Sequence, residues 1–313
     1  MRSSAIEVSG LRKAFGNKIV LDGIDLDVPA GTVFSLLGPN GAGKTTTVNV
    51  LTTLMKADGG TVRVAGHDVA TEAKAVRAAV GVTGQFAAVD ELLSGQENLQ
   101  LMADLKRMGS AEGRRVVTEL LERFDLVESA QKSASTYSGG MRRKLDLAMT
   151  LVGKPRIIFL DEPTTGLDPR SRRTMWEIVR ELVADGVTIF LTTQYLEEAD
   201  QLADRVAVLN QGRLVAQGTP DDLKRQVPGS HVRLRFTDAV QLDAAARVLA
   251  GSTRDDEALA LRVPGDGGTK TLRALLDRLD EHSLSAEEFS VHTPDLDDVF
   301  LALTGHSTEV DAK

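Results

Sequence analysis

Cysteine is missing from all 313 residues. That excludes disulfides, thiolate metal sites and a cysteine nucleophile, and it fits a reducing compartment. Long apolar runs are missing as well. The longest, such as Val33–Leu37, Arg156–Leu160 and Val187–Leu191, have the length of buried strands and fall far short of the roughly 18 to 20 residues that a spanning helix needs. Met1–Glu7 has no apolar core of the kind a signal peptide carries. The expectation is a chain soluble by itself, whose membrane role, if it has one, comes through a partner. No run of Lys and Arg is long enough to make a basic face, and the net charge is −8 with a pI near 5.3. Nucleic acid is therefore not expected as a partner. Nor does any internal repeat stand out. What the chain has is 42% hydrophobic and 26% charged residues, enough to bury a real core in one large or two ordinary domains.

The texture changes along the chain. Up to about residue 224, short β-rich runs alternate with helical patterns, the signature of an α/β layer. Ile6–Val8, Ile19–Val28 and Thr32–Leu37 read as strands, and Gly43–Leu54 as a helix entered directly from a glycine loop. Gln96–Thr150 reads as helical. Ile157–Leu160, Val187–Leu191 and Arg205–Leu209 read as central parallel strands, with helices Arg170–Ala184 and Tyr195–Leu202 between them. Pro220–Gly229 marks a break. Beyond it, strands at His231–Phe236, Leu259–Val263 and Phe289–His292, with helices at Leu242–Leu249, Thr271–Leu279 and Leu296–Leu303, make a small α+β domain. The expected division is a larger α/β domain over 1–224 with a helical part over about 86–153, an accessory domain over 225–306, and a frayed tail over 307–313.

Three segments carry chemistry. Gly38-Pro39-Asn40-Gly41-Ala42-Gly43-Lys44-Thr45 stands between a predicted strand and a predicted helix. Its glycines let backbone N–H groups turn inward on phosphate oxygens, the helix N-terminus adds positive potential, Lys44 reaches the β- and γ-phosphates, and the Thr45 hydroxyl suits Mg²⁺. Ile157–Glu162 is an apolar strand ending in two acids. Beside Lys44, Asp161 is placed to hold Mg²⁺ through water and Glu162 to polarise the attacking water. Ser138-Gly139-Gly140 opens a helical run, a second anion cradle far from the first. Read alone it is a plain N-cap; read with the other two, it serves the nucleotide of a neighbouring copy.

At this point the chain resembles the nucleotide-binding subunit of an ATP-binding cassette (ABC) transporter, of the daunorubicin/doxorubicin-resistance exporter type. The resemblance covers residues 6 to about 218. It rests on Gly38–Thr45, Gln85, Tyr137–Met141, Ile157–Glu162, Gly166-Leu167-Asp168 and Thr192–Glu198, with Val82–Gln85, Thr136–Arg143, Thr192–Asp200 and the later Leu296–Leu301 pointing to the exporter type. It implies a P-loop (RecA-like) core with a β-rich N-terminal subdomain and a helical signature subdomain. It implies a head-to-tail dimer, with ATP between Gly38–Thr46 of one copy and Ser138–Gly140 of the other. Asp168 would bridge the two sites, Gln85 would touch Mg²⁺ or the attacking water, and Phe15 would stack on adenine. The helical segment would receive a membrane-spanning permease subunit, at the cytoplasmic face of the membrane. The departure is Gln194, where the superfamily has a histidine at the γ-phosphate; no histidine lies between His67 and His231. An amide still donates a hydrogen bond but carries no charge, so hydrolysis is expected to persist with Glu162, Lys44, Gln85 and Gln194 as the catalytic set.

Two other readings remain at this stage. A soluble cassette ATPase acting on ribosomes or DNA is disfavoured by the single cassette, the absence of a long coiled-coil insertion and the acidic charge. A binding-only regulatory subunit is disfavoured by Glu162. The apolar stripe Leu296, Val299, Phe300 and Leu303 reads as core packing or a dimer contact.

Overall fold

The computed structural model describes residues 3–85, 88–226, 230–265, 268–292 and 294–304; the expected frayed tail lies outside them. The chain divides into two compact units, Met1–Pro220 and Asp221–Lys313.

In the first unit, β1 (Ser4–Phe15) and β2 (Lys18–Pro29) pair antiparallel through a turn at Gly16, whose φ of 57° suits glycine. β3 (Val33–Leu37), buried at every position, runs into the glycine loop, and α1 (Lys44–Leu51) leaves it. β4 (Gly59–Val64) pairs with β1, and β5 (His67–Asp68) ends that sheet in the order β2-β1-β4-β5. α2 (Ala73–Ala79) precedes β6 (Val80–Thr83). The helical stretch resolves into α3 (Gly95–Leu105), α4 (Ser110–Arg123) and α5 (Gly139–Leu151). Ser94 and Glu97 close a reciprocal capping box at the start of α3. β7 (Ile157–Asp161), α6 (Pro169–Ala184), β8 (Thr188–Thr193), α7 (Leu196–Leu202), β9 (Arg205–Asn210) and β10 (Arg213–Gly218) follow.

The second sheet runs β10-β9-β3-β8-β7-β6, parallel except for β10. Its strands are near-continuous apolar runs because both faces are covered. Alternate residues feed two cores. Val33, Ile158, Leu160, Ile189 and Leu191 face the helical layer of α3 to α6. Phe34, Phe159 and Phe190 face α1 and the antiparallel sheet, with the Phe34 and Phe190 rings stacked 5.6 Å apart. This order fixes the site. β3, β8 and β7 are neighbours, so the glycine loop, Gln194 and Glu162 all leave the sheet at its carboxyl edge, where open α/β sheets bind ligands.

The second unit starts within α8 (Pro220–Gln226). β11 (His231–Arg235), β12 (Thr253–Asp255), β13 (Ala260–Pro264) and β14 (Glu288–His292) form an antiparallel sheet in the order β12-β13-β11-β14. α9 (Ala239–Val248) and α10 (Thr269–Glu281) bury its Val232, Leu234 and Leu261 face. In α11 (Leu296–Thr304), Leu296, Val299 and Phe300 are buried, as the apolar stripe requires.

Candidate functional site

A cavity of about 320 Å³ opens where the glycine loop meets the ends of β1 and β7. Phe15, Lys18, Val20, Asn40, Gly41, Gly43, Lys44, Thr45, Thr46, Gln85 and Glu162 line it. The loop is sterically committed. Gly43 caps α1 at φ 113°, and a Cβ there would stand 2.7 Å from Leu21 Cδ2. A Cβ on Gly38 would stand 2.3 Å from the Leu209 carbonyl oxygen. Pro39 and Ala42 complete the turn through the bond from Ala42 N to Pro39 O, 3.2 Å. The loop's shape therefore depends on the strand beside it, β9, as well as on its own glycines.

Lys44 is 5% exposed. Its ammonium donates to Gly38 O at 2.8 Å and Pro39 O at 3.3 Å, and lies 3.4 Å from Glu162 Oε1. Burial pushes its pKa down from the ordinary lysine value, while the Glu162 and Asp161 carboxylates pull it part way back. An anion entering the loop would have to compete with those contacts, and its charge would favour the same protonated form.

Glu162 sits in the left-handed region at φ 50°, a conformation costly for a residue with a side chain. Its N–H donates to Thr192 O at 3.0 Å. Its other carboxylate oxygen accepts from Gln85 Nε2 at 3.5 Å and Thr165 Oγ1 at 3.4 Å. Asp161, buried, accepts a hydrogen bond from the Thr192 hydroxyl. Gln85 also lines the cavity, and its amide carries an oxygen acceptor besides the NH₂ that meets Glu162. The Thr45 hydroxyl, the Gln85 amide oxygen and the Asp161 carboxylate are hard oxygen donors, a set that fits Mg²⁺.

Of the remaining expected residues, Phe15 stands at the cavity's rim and the others do not line it. Gln194 follows β8, half-buried, and does not line the cavity. Phe15 is 49% exposed at the rim, an open ring with Lys13 Nζ 5.5 Å from its centroid. Ser138 caps α5, its hydroxyl accepting from Met141 N at 3.2 Å. Gly140 lies so close to α6 that a Cβ would stand 2.6 Å from Ser171 Oγ, and Gly139 packs near Leu167. Asp168 caps α6 through Arg170 N and Ser171 N, both at 3.0 Å, and Ser171 Oγ holds its carboxyl below the usual range. Ser138–Gly140 and Asp168 thus sit together, and none of them lines the Lys44 cavity.

Two residues escaped the sequence reading. Arg143, on α5, is 6% exposed. Its guanidinium donates to Gly84 O at 2.7 Å, Pro163 O at 2.8 Å, Glu162 O at 3.3 Å and Asp161 O at 3.4 Å, and pairs with Asp146 at 3.4 Å. Asp146 in turn accepts from Ala88 N at 3.0 Å. Burial lowers the Arg143 pKa and raises that of Asp146. One side chain thereby ties the helix that begins at Ser138 to the backbone on either side of Glu162 and to the residue before Gln85. Glu198, fully buried on α7, accepts from Thr164 Oγ1 at 2.9 Å and Trp176 Nε1 at 3.2 Å, and burial raises its pKa. The signal for Arg143 was the polar stripe Arg143, Asp146 and Thr150 at helical spacing; Thr150 meets Thr83 of β6 at 3.0 Å. In a sequence such a stripe reads as a solvated face. Replacing Arg143 with lysine removes the fork and loosens the backbone around Glu162. Turnover is expected to fall about a hundredfold with ATP affinity nearly unchanged. Steady-state rates beside nucleotide titrations check this; a loss confined to ATP affinity contradicts it.

Comparisons with known proteins agree among themselves. Residues 21–165 match the family model described as ABC transporter, and residues 218–304 match ATP-binding protein DrrA1-3-like, C-terminal domain. The chain is 49% identical over 312 residues, 99% of each chain, to a daunorubicin resistance ATP-binding protein of Streptomyces coeruleorubidus. It is 49% identical to the daunorubicin/doxorubicin resistance ATP-binding protein of Streptomyces peucetius, over 97% of this chain and 94% of that one. It is 38% identical to the Nod factor export ATP-binding protein I of Paraburkholderia xenovorans, over 99% of this chain and 100% of that one. Among solved structures, the ATP-binding subunit of an ABC transporter superposes with a TM-score of 0.64 at 30% identity, covering 71% of this chain and 92% of that one. Among the described residues no helix is long and apolar enough to cross a membrane.

Proposed function

The chain belongs to the ABC transporter family as an ATP-hydrolysing transport cassette, and on that premise we propose that it powers an exporter through a separate membrane-spanning subunit. The carrying observation is the Lys44–Glu162 contact of 3.4 Å inside the glycine-loop cavity. It sets the phosphate-gripping cation beside the carboxylate that polarises water. That Ser138–Gly140 and Asp168 stand apart from this cavity supports their serving the nucleotide of a second copy, in a head-to-tail dimer.

The geometry supports the following division of labour. The loop N–H groups, Lys44 and Thr46 bind and orient the phosphates; Phe15 offers a face to the adenine. Glu162, steadied by Gln85 and Thr165, accepts the proton of the attacking water. Thr45, Gln85 and Asp161 would hold Mg²⁺, which supplies charge neutralisation at the phosphates. Positioning and electrostatics carry the reaction, with no covalent step for the protein. Drug-resistance and Nod factor export relatives favour an amphipathic cargo whose contacts lie in the membrane subunit. They leave no support for the ribosome- or DNA-acting alternative.

Gln194 should work without a titrating group. The pH–rate profile is expected to show no step from this position, and Gln194→His to add one near the ordinary histidine range, about pH 6.5. A wild-type rate lower than the variant's by orders of magnitude would show that the amide is no replacement. Fractionation tests the transport reading. The chain should sediment with membranes when a hydrophobic permease is co-expressed and stay in the supernatant when it is not. Partner-independent behaviour in either fraction contradicts it.

A further inference from the structure

We infer that the C-terminal unit carries a phosphate-binding cleft on the sheet face opposite α9 and α10, selective for a phosphorylated organic molecule. The argument starts from register. β11 sets Arg233 directly across from Arg262 on β13 and from Ser290 on β14, and His231 across from His292. Residues directly opposite on an antiparallel pair share a face and stand about 5 Å apart, so like charges there repel. This chain places an arginine pair in one such row and, two residues along β11, a pair of imidazole rings 4.7 Å apart.

Neighbouring carboxylates relieve most of this charge but not all of it. Arg235 is held by Glu287 at 3.4 Å and Glu288 at 3.1 Å. Arg262 reaches Asp255 at 3.6 Å, and Arg254 is held by Asp243 and Asp256. His292 meets Asp298 of α11 at 3.2 Å. Arg233 alone among the strand arginines of this unit has no acidic partner among the described residues. It lies exposed at the centre of the array, in a protein of net charge −8.

Above that array is a cavity of about 910 Å³. Arg233, Arg262, Ser230 and Ser290 supply donors, the one lining carboxylate among the described residues, Asp298, is engaged by His292 at 3.2 Å, and Val291, Pro264, Pro294 and Leu301 supply an apolar rim. Paired guanidinium forks with hydroxyls beside them match phosphate oxygens bidentately. The volume exceeds what orthophosphate fills and suits a ligand with an organic portion on the rim. The phosphate can belong to a soluble metabolite or to a lipid headgroup, and the two are separable by experiment.

The test uses the full chain with its nucleotide cavity filled by ADP. Phenyl phosphate and inorganic phosphate are titrated while the imidazole resonances of His231 and His292 are followed by NMR. Both resonances should move, with phenyl phosphate the tighter ligand. Arg233→Gln should weaken binding about tenfold or more, while Arg235→Gln, on the same face but already paired, should leave it unchanged. Phosphatidylglycerol vesicles that retain the wild type but not Arg233→Gln place the phosphate on a lipid. Vesicles that retain neither, with phenyl phosphate still bound, place it on a soluble molecule. Resonances unmoved up to about 10 mM ligand, or equal losses in the Arg233 and Arg235 variants, overturn the inference.

Discussion

Replacing Glu162 with glutamine is expected to lower ATP turnover by about a hundred- to ten-thousandfold, the range that a positioned general base supplies, while ATP stays bound. The amide keeps the shape of the side chain and can still meet Gln85 and Thr165, which bond the carboxylate now at 3.5 and 3.4 Å. It cannot take a proton from water. The backbone should not change, because Thr192 and Arg143 hold the peptide on both sides of residue 162. Single-turnover hydrolysis and nucleotide titration separate the two effects. Turnover within a few fold of wild type would show that the base is another group.

Replacing Lys44 with alanine is expected to remove binding as well as turnover. Among the described residues nothing else lining the cavity supplies a buried cation: Lys18 also lines it, but from the exposed β2 end. Losing one preorganised donor to developing charge costs about a hundred- to a thousandfold in rate. The loss of Lys44 also leaves Glu162 buried without the cation now 3.4 Å away, which removes the buried carboxylate's nearest compensating charge. The two substitutions therefore differ in kind: Glu162→Gln binds and stalls, Lys44→Ala fails to bind. Near-normal nucleotide affinity in the lysine variant would remove the loop from the account.

The phosphate loop and the acidic strand end were legible because their chemistry is local. Gly38 to Thr45 must be a tight turn into a helix, and an apolar run ending in Asp161 and Glu162 must be a buried strand meeting a ligand. The family resemblance then carried the cassette fold and supplied the remaining site residues as expectations. Short elements were not legible. β6, four residues long, and β10, on the sheet edge, have no periodicity of their own and are defined by pairing with β7 and β9. β1 runs on to Phe15 through residues whose polar faces hide the strand. Arg143 was invisible for a different reason. Which face of α5 is buried depends on where β6 and β7 lie, and only the folded chain shows that a charged stripe points inward. Glu198 was missed in the same way, since an acid in the first turn of a short helix reads as solvated until Thr164 and Trp176 close over it.

The central claim is that two copies of this chain share each ATP, one gripping with Lys44 and the other capping with Ser138, Gly139 and Gly140. The most direct measurement is the solution mass of Glu162→Gln with and without Mg-ATP, beside the same protein carrying Ser138→Arg. The account predicts a dimer with ATP that reverts to monomer without it, and no ATP-dependent dimer once residue 138 is arginine. A strictly monomeric, ATP-loaded Glu162→Gln protein, even with its membrane partner present, would contradict it.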